Sequence, residues 1–398
     1  MIKTGKIYFS NQTHIGEKIM KFKKIIINAL IISQLISSTK PEVAKKPLGS
    51  RFVKNKEELF FKSDVKFSNE SIQTDPEILL RAAKCSLRYF ISTNKKDTDL
   101  VKSKILEKRI FPHAQAKKTL RFIIKTIEED KGKPKSKQRI MNTNFLNKNF
   151  QFIKWYGDKY QAKINGIVIP KWPDGGELKN GKIKLTSYAT FISKGNYFKT
   201  KEFPHALFSM VSPNFDKSIR FWHSKQDIFS GVLEQNKYKK HVKPLVWLSK
   251  NDVEEALMQG NIVTRMPNGD EKTFIVHKSN GVPYNKKVKK FCEQKKYWYF
   301  KKLSADEKYP KMTDLGKAAF AGDVENIGLG KIIAIRYKNP INNKREIRLG
   351  VLIDRGSAFS NNLYQLDLFA GKFDNREQFR NFIKYLPNTV EAYLLKKR

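Results

Sequence analysis

The sequence predicts a mainly β fold preceded by helices, and three observations carry that expectation. From Gly166 onward, turn signals such as Pro173-Asp174-Gly175-Gly176, Pro267-Asn268-Gly269-Asp270 and Asn280-Gly281 recur between short β-prone runs. Helical spacing of apolar residues is concentrated upstream, in 75–90 and 116–129. In the last fifth of the chain, aspartates stand among Ile, Leu, Phe and Gly: Ala321-Gly322-Asp323, then Ile353-Asp354-Arg355-Gly356-Ser357-Ala358-Phe359, then Leu366-Asp367-Leu368-Phe369-Ala370-Gly371. A carboxylate in such surroundings loses hydration, which raises its pKa, or is held by hydrogen bonds; either condition suits proton transfer.

Taken in order, the chain opens with a targeting signal. Basic Met20-Lys21-Phe22-Lys23-Lys24 precedes an apolar run from Ile25 to Ile36, interrupted only by Asn28, Ser33 and Gln34, with small residues at Ser37 and Ser38 and a cleavage zone up to Ala44. The run is too short to span a bilayer comfortably. Nineteen residues precede Met20, so translation starts there or the basic region is extended. Residues 45–74 are polar and lysine-rich and read as a basic linker. Asp75-Pro76-Glu77 opens a helix with an N-cap, a first-turn proline and an early acid, and Leu79, Ala82, Ala83, Leu87 and Phe90 share one face. A second helix is expected over Ala116–Glu129, with Leu120, Ile123, Ile124 and Ile127 as its buried stripe. The basic stretch 131–137 reads as a solvated loop. Strands are expected at Ile183–Tyr188, Ile262–Arg265, Thr273–His277, Tyr297–Phe300, Lys331–Tyr337, Ile347–Ile353 and Leu363–Phe369, followed by a helix over Asn375–Ile383 and a last strand over Val390–Leu395.

Composition bounds the function. The chain has 398 residues with 40% hydrophobic content, enough for two or three domains with real cores. Lys+Arg 79 against Asp+Glu 38 gives a net charge of +41. Such an excess points to an anionic partner: nucleic acid, an anionic membrane surface or an acidic polymer such as a cell wall. A Lys-, Asn- and Ile-rich background accounts for part of it. Cys85 and Cys292 form no metal-type cluster. His14, His113, His205, His223, His241 and His277 are scattered, none at i, i+4 beside a glutamate, which argues against a zinc hydrolase. Neither a phosphate-binding glycine loop nor a nucleophile elbow occurs. Tyr297-Trp298-Tyr299-Phe300, flanked by lysines, reads as a strand lining a core; its other reading is a base-stacking surface. The aspartates are therefore the chemical lead. Asp323 fits a turn or cap, whereas Asp367 sits inside an expected strand.

The aspartate segment resembles the three-aspartate domain of the membrane-bound lytic murein transglycosylase A family, whose pattern runs D-x-G-G-A-I-K-G and then D-[LI]-[FY]-x-G. Ala321-Gly322-Asp323, with Gly330 seven residues on, resembles the strand and turn before it. Phe145-Leu146-Asn147-Lys148-Asn149-Phe150 resembles F-[FL]-E-x-x-F, and Leu185-Thr186-Ser187-Tyr188-Ala189-Thr190 resembles the T-G-Y-Y-x-P motif. Gln259-Gly260-Asn261 is similar to Q-G-S-G, Asn280-Gly281-Val282-Pro283-Tyr284 to N-G-x-x-Y, and Tyr297-Trp298-Tyr299-Phe300 to an aromatic strand. The matches are collinear from Asp75 to the C-terminus. The chain departs from the family at Ser357, which replaces the second glycine, and at Ala358-Phe359-Ser360-Asn361, which replaces A-I-K-G. Asp367 follows Asp354 by thirteen positions, about two more than is usual in the family. Ser187, Ala189 and Phe191 replace glycine, tyrosine and proline in the groove motif.

The resemblance implies a double-psi β-barrel built from 75–195 and 295–398, with a second β-domain inserted over 196–294. It implies a peptidoglycan lytic transglycosylase that cuts the MurNAc–GlcNAc β-1,4 bond and leaves 1,6-anhydromuramoyl ends. Asp367 would be the acid and base, Asp354 its like-charged partner, and Asp323 a brace. Thr186, Tyr188, Gln259 and Tyr284 would line the glycan groove. No metal or organic cofactor is implied. The implied partner is the glycan strand rather than nucleic acid, with peripheral attachment to an anionic membrane or wall, in an exported monomer of the periplasm or outer membrane of a Gram-negative bacterium. A barrel that binds the wall without cutting it, and a basic nucleic-acid-binding protein, are the competing readings.

Overall fold

The computed structural model describes residues 55–92, 103–107, 109–164, 181–211, 219–285, 288, 290–303, 312–355, 359 and 361–398. The export signal, the turn signal at 173–176 and, in the aspartate hairpin, residues 356–358 and 360 lie outside them.

In chain order the strands are β1 (Phe60–Ser63), β2 (Ser71–Ile72), β3 (Phe150–Trp155), β4 (Ile183–Lys194), β5 (His205–Met210), β6 (Val242–Leu248), β7 (Asn261–Arg265), β8 (Glu271–Ser279), β9 (Trp298–Lys302), β10 (Ala319–Ala321), β11 (Ile332–Lys338), β12 (Arg345–Asp354), β13 (Gln365–Phe373) and β14 (Thr389–Lys397). The helices are α1 (Pro76–Ser92), α2 (His113–Glu129), α3 (Thr143–Asn149), α4 (Lys159–Ile164), α5 (Lys225–Phe229), α6 (Lys250–Gln259), α7 (Val324–Ile327) and α8 (Arg376–Ile383).

Strand β14 pairs with β11 over Glu391–Leu395 and with β4 at Thr389 and Val390, so β4, β14, β11, β12, β10 and β13 close into a mixed six-stranded ring. Two pairings in the ring, β10 with β12 and β13 with β4, are parallel. The ring strands read as apolar runs because both faces are covered. Ile332, Ile333, Ala334 and Ile335 are fully buried, as are Leu349, Val351 and Leu352. Each such Ile or Leu contributes about 1.5–3 kcal/mol by leaving water. Helix α1 packs on β12, α2 packs on β14, and the two helices pack on each other. Asp75 caps α1, its Oδ1 accepting from the amides of Glu77 and Ile78 at 2.9 and 3.1 Å. Leu79, Ala82, Ala83 and Phe90 of α1 and Leu120, Ile123 and Ile127 of α2 form the buried faces, as their spacing predicts.

A smaller unit branches from the far end of β4, whose residues Ile192–Lys194 pair with β7; β8 and β9 follow. Its own core joins Leu207, Val246, Leu248, Val253, Phe274, Tyr297 and Phe300. Polar contacts tie this unit to the ring. Thr190 donates to Asn261 Oδ1 at 2.6 Å, Lys372 meets Glu271 at 2.7 Å, and Arg376 bonds Glu255.

Two boundaries move. The supposed linker carries β1, which pairs antiparallel with β3, and β2, which pairs with β12. Phe67 between them is fully buried against the rings of Phe152 and Tyr393. The lysines around Phe60 and Phe67 hide an edge strand too short to alternate visibly. The aromatic run also belongs elsewhere: β9 pairs with β8 in the smaller unit rather than in the ring, so that unit extends past residue 294. Smaller shifts are the start of α2 at His113 and the extension of β4 to Lys194.

Candidate active site

Ala321 lies in register with two aspartates at once. On one side β10 runs parallel to β12 and Ala321 faces Asp354; on the other it runs antiparallel to β13 and Ala321 faces Asp367. Asp367 is in turn level with Thr186 on β4. Residues directly opposite in a sheet project to one face, so Asp354, Ala321, Asp367 and Thr186 form a row across four strands. Ala321 is the one residue between the two aspartates in this row. Two positions along, Phe369 and Tyr188 repeat the pairing, with ring centroids 5.1 Å apart.

Burial raises the pKa of all three acids, and Asp367 is the one with an oxygen left unbonded. The residue is half-buried, but its Oδ1 is closed off and accepts no hydrogen bond among the described residues. Burial pushes its pKa up from 3.8 to about 7; the Thr186 hydroxyl pulls it down by hydrogen bonding, and the nearby Asp354 pushes it up. Gln365 Nε2 donates to Thr186 Oγ1 at 2.9 Å. A threonine hydroxyl has one proton, and with Gln365 donating into the oxygen, that proton is left for Asp367. Gln365 itself accepts from Asn362 Nδ2 at 3.4 Å.

Asp354 is differently held. Its Oδ2 accepts from the Tyr188 hydroxyl at 2.8 Å and its Oδ1 from the Arg355 amide at 2.7 Å. Burial raises its pKa as well, and these two donors pull it back. Tyr188 stays protonated, because burial and then the charges of Asp354 and Asp367 lift its pKa well above the ordinary tyrosine range. Next along, Arg355 pairs with Glu325 at 2.6 Å.

Asp323 is fully buried and caps α7. Its oxygens accept from Asn326 N (3.2 Å), Asn326 Nδ2 (2.6 Å) and the Asn362 amide (2.9 Å). It thereby fixes the chain just before β13, and burial raises its pKa against those bonds. Gly371 has φ +117° at the irregularity after Phe369, and a Cβ added at Gly316 would meet Gly371 Cα, so glycine serves both conformation and close approach there.

Of the residues singled out from sequence, the structure brings Asp354, Asp367, Thr186 and Tyr188 together. The hydroxyls of Thr186 and Tyr188 are engaged by the acids. Gln259 ends α6 with its Nε2 bonded to Glu255 at 2.8 Å, and Tyr284 stands exposed on the loop after β8. Sequence reasoning passed over Gln365 and Ala321. Both lie on the face of Asp367's row; Gln365, two positions before Asp367, was findable by period-two spacing. Among the described residues, no group of three or more His, Cys, Asp or Glu gathers at metal-binding distance.

Neither a protein-family model nor a curated protein matches the sequence. Solved structures do match. The membrane-bound lytic murein transglycosylase from Agrobacterium tumefaciens aligns with a TM-score of 0.52 at 14% identity, over 83% of this chain and 98% of that one. E. coli MltA with bound chitohexaose aligns with a TM-score of 0.55 at 14% identity, over 89% and 99%. This chain shares their fold. MltA from Neisseria gonorrhoeae aligns at a TM-score of 0.50 and 14% identity, over 81% and 88%.

Proposed function

We propose that this chain is a peptidoglycan lytic transglycosylase of the membrane-bound lytic murein transglycosylase A type, its ring a double-psi barrel and its active acid Asp367. The observation that carries the reading is the asymmetry of the acid pair. Both oxygens of Asp354 are held by donors, whereas Asp367 has a pKa of about 7 and an unbonded Oδ1. One carboxyl thus keeps an oxygen committed to no donor and is poised half-protonated near neutrality.

That inventory suits a reaction needing a single group. Protonated Asp367 gives its proton to the glycosidic oxygen as the bond from muramoyl C1 breaks. The muramoyl C6 hydroxyl closes on C1 and returns its proton to the Asp367 carboxylate. The product is a 1,6-anhydromuramoyl end, no water is consumed, and the acid is regenerated. An ordinary glycosidase needs a second free carboxylate, to activate water or attack the sugar; Asp354 is committed to Tyr188 and Arg355. Its role is to sustain the high pKa of Asp367 through like charge. The shared fold supports the reading, as does the chitohexaose seen on E. coli MltA. In this reading Gln259 and Tyr284 contact the glycan, the smaller unit forms the far wall of the groove, and the basic surface suits the peptide carboxylates of an exported protein's wall substrate.

Digestion of sacculi in H2 18O tests the reaction class. Lytic cleavage gives anhydro ends without 18O; 18O-labelled reducing ends would mean hydrolysis, and no release would mean a binder that does not cut.

A further inference from the structure

Strand β14 leaves the ring with Lys396, Lys397 and Arg398, and these line a cleft of about 570 Å3 with Lys62 of β1, Lys66, and Lys118 of α2. Asp64 is the only acidic side chain in the lining; Gln115 and Gln151 complete it. We propose that this cleft is a second binding site, specific for a small anion carrying several phosphates, and separate from the aspartate row.

The cations of β14 are held by neutral groups rather than by counter-charges. Lys396 Nζ donates to Ile110 O at 3.0 Å, and Arg398 Nε to Phe150 O at 3.1 Å. Lys397 Nζ donates to Asn149 Oδ1 at 3.4 Å and lies 4.4 Å from the centroid of the Phe122 ring. Gln115 fixes the same strand by donating to Lys397 O, and Thr119 accepts from the Lys397 amide at 3.0 Å. None of the six cations pairs with a carboxylate among the described residues, and together they set six positive side chains around one cleft. A carbonyl orients an ammonium or guanidinium without cancelling its charge, and each retains donors for a ligand. Five of the six are lysines. Compact ammonium charges on mobile stems bind phosphate as point charges, and several gathered in one cleft suit a ligand with several negative charges.

The shape narrows the class further. The volume falls within the usual range for small-molecule pockets, and the lining residues are all charged or amide-bearing. A multiply phosphorylated headgroup and a free polyphosphate share the required chemistry. Position along β14 separates the cleft from the acids: β14 meets β4, which carries Thr186, at Thr389 and Val390, whereas the cleft lies at the other end of the strand, at Lys396 and Lys397 beside β3. The site therefore stands independently of the proposed activity.

Calorimetric titration of the full chain with inorganic tripolyphosphate tests this. Saturable binding is expected. The triple variant Lys62→Gln, Lys66→Gln, Lys118→Gln changes only exposed side chains and should weaken binding at least tenfold, with an unchanged melting curve. Lys201→Gln, Lys239→Gln, Lys240→Gln removes the same charge from exposed positions of the smaller unit and should leave binding within twofold. Asp367→Asn should bind normally. Competition by vesicles containing a lipid with a bisphosphorylated headgroup would assign the phosphate to a lipid headgroup, and failure to compete would assign it to a soluble ion. Absence of saturable binding, or equal weakening in both triple variants, would overturn the site.

Discussion

The Tyr188 hydroxyl donates to Asp354 Oδ2 at 2.8 Å, joining β4 to the end of β12 over the two strands between them. The bond occupies Asp354, while Asp367 Oδ1 has no hydrogen-bond partner among the described residues. Removing it in Tyr188→Phe strands a desolvated carboxylate oxygen, an expense of about 1–3 kcal/mol in stability. Urea denaturation should record that loss, together with reduced release of muropeptides from sacculi. A variant as stable as wild type would show the bond to be incidental.

In the proposed mechanism Asp367 carries a proton when the glycosidic bond breaks, so the rate should fall as pH rises through about 7. Its neighbours move that limb in opposite directions. Asp354 raises the Asp367 pKa, so Asp354→Asn should shift the limb to lower pH; Thr186 lowers it, so Thr186→Val should shift the limb to higher pH. Loss of Gln365, which sets the Thr186 hydroxyl, should move the limb as Thr186→Val does. Profiles of kcat/KM for the three variants decide the matter, and identical limbs would contradict the coupling.

Packing around the row is tight from behind. A Cβ added at Gly350 would come within 2.6 Å of the Phe320 ring, and Phe320 precedes Ala321 on β10. Gly350→Ala should therefore reduce stability by about 1–3 kcal/mol by overpacking. Because the displaced ring adjoins the residue between the acids, activity should fall more than stability alone predicts, measured well below the melting temperature.

Lys331 is fully buried, its Nζ donating to Phe111 O at 2.8 Å, and burial pushes its pKa down to about 7. The folded value lies below the unfolded one of about 10.4. The unfolded chain then binds more protons between these values, so this residue makes stability rise as pH increases from about 7 toward 10. Lys331→Met should flatten that rise in melting experiments. An unchanged slope would place its origin elsewhere.

Much of this architecture was legible. Strands β11, β12 and β13 announced themselves because Ile332–Ile335, Leu349–Leu352 and Leu366–Phe369 are apolar runs buried on both faces, and α1 because Asp75, Pro76 and its apolar stripe agree. The acids were legible as polar intrusions into such runs. What escaped depends on distant pairing. Phe60–Ser63 becomes a strand only against β3, and Gln365 acquires its role only because Thr186, 179 residues away, lies beside it. Register between remote strands leaves no local trace. For the same reason Thr186 and Tyr188, expected to face sugar, were not seen as partners of the acids.

Exchange of one oxygen tests the central claim most directly. Sacculi digested with wild type, Asp367→Asn and Asp354→Asn, with products weighed by mass spectrometry, should give 1,6-anhydromuropeptides from wild type and a rate about 10^2 to 10^4 lower for Asp367→Asn. Asp354→Asn should retain more activity than Asp367→Asn and the same anhydro product. Undiminished release by Asp367→Asn would contradict the assignment of that residue as the acid and base.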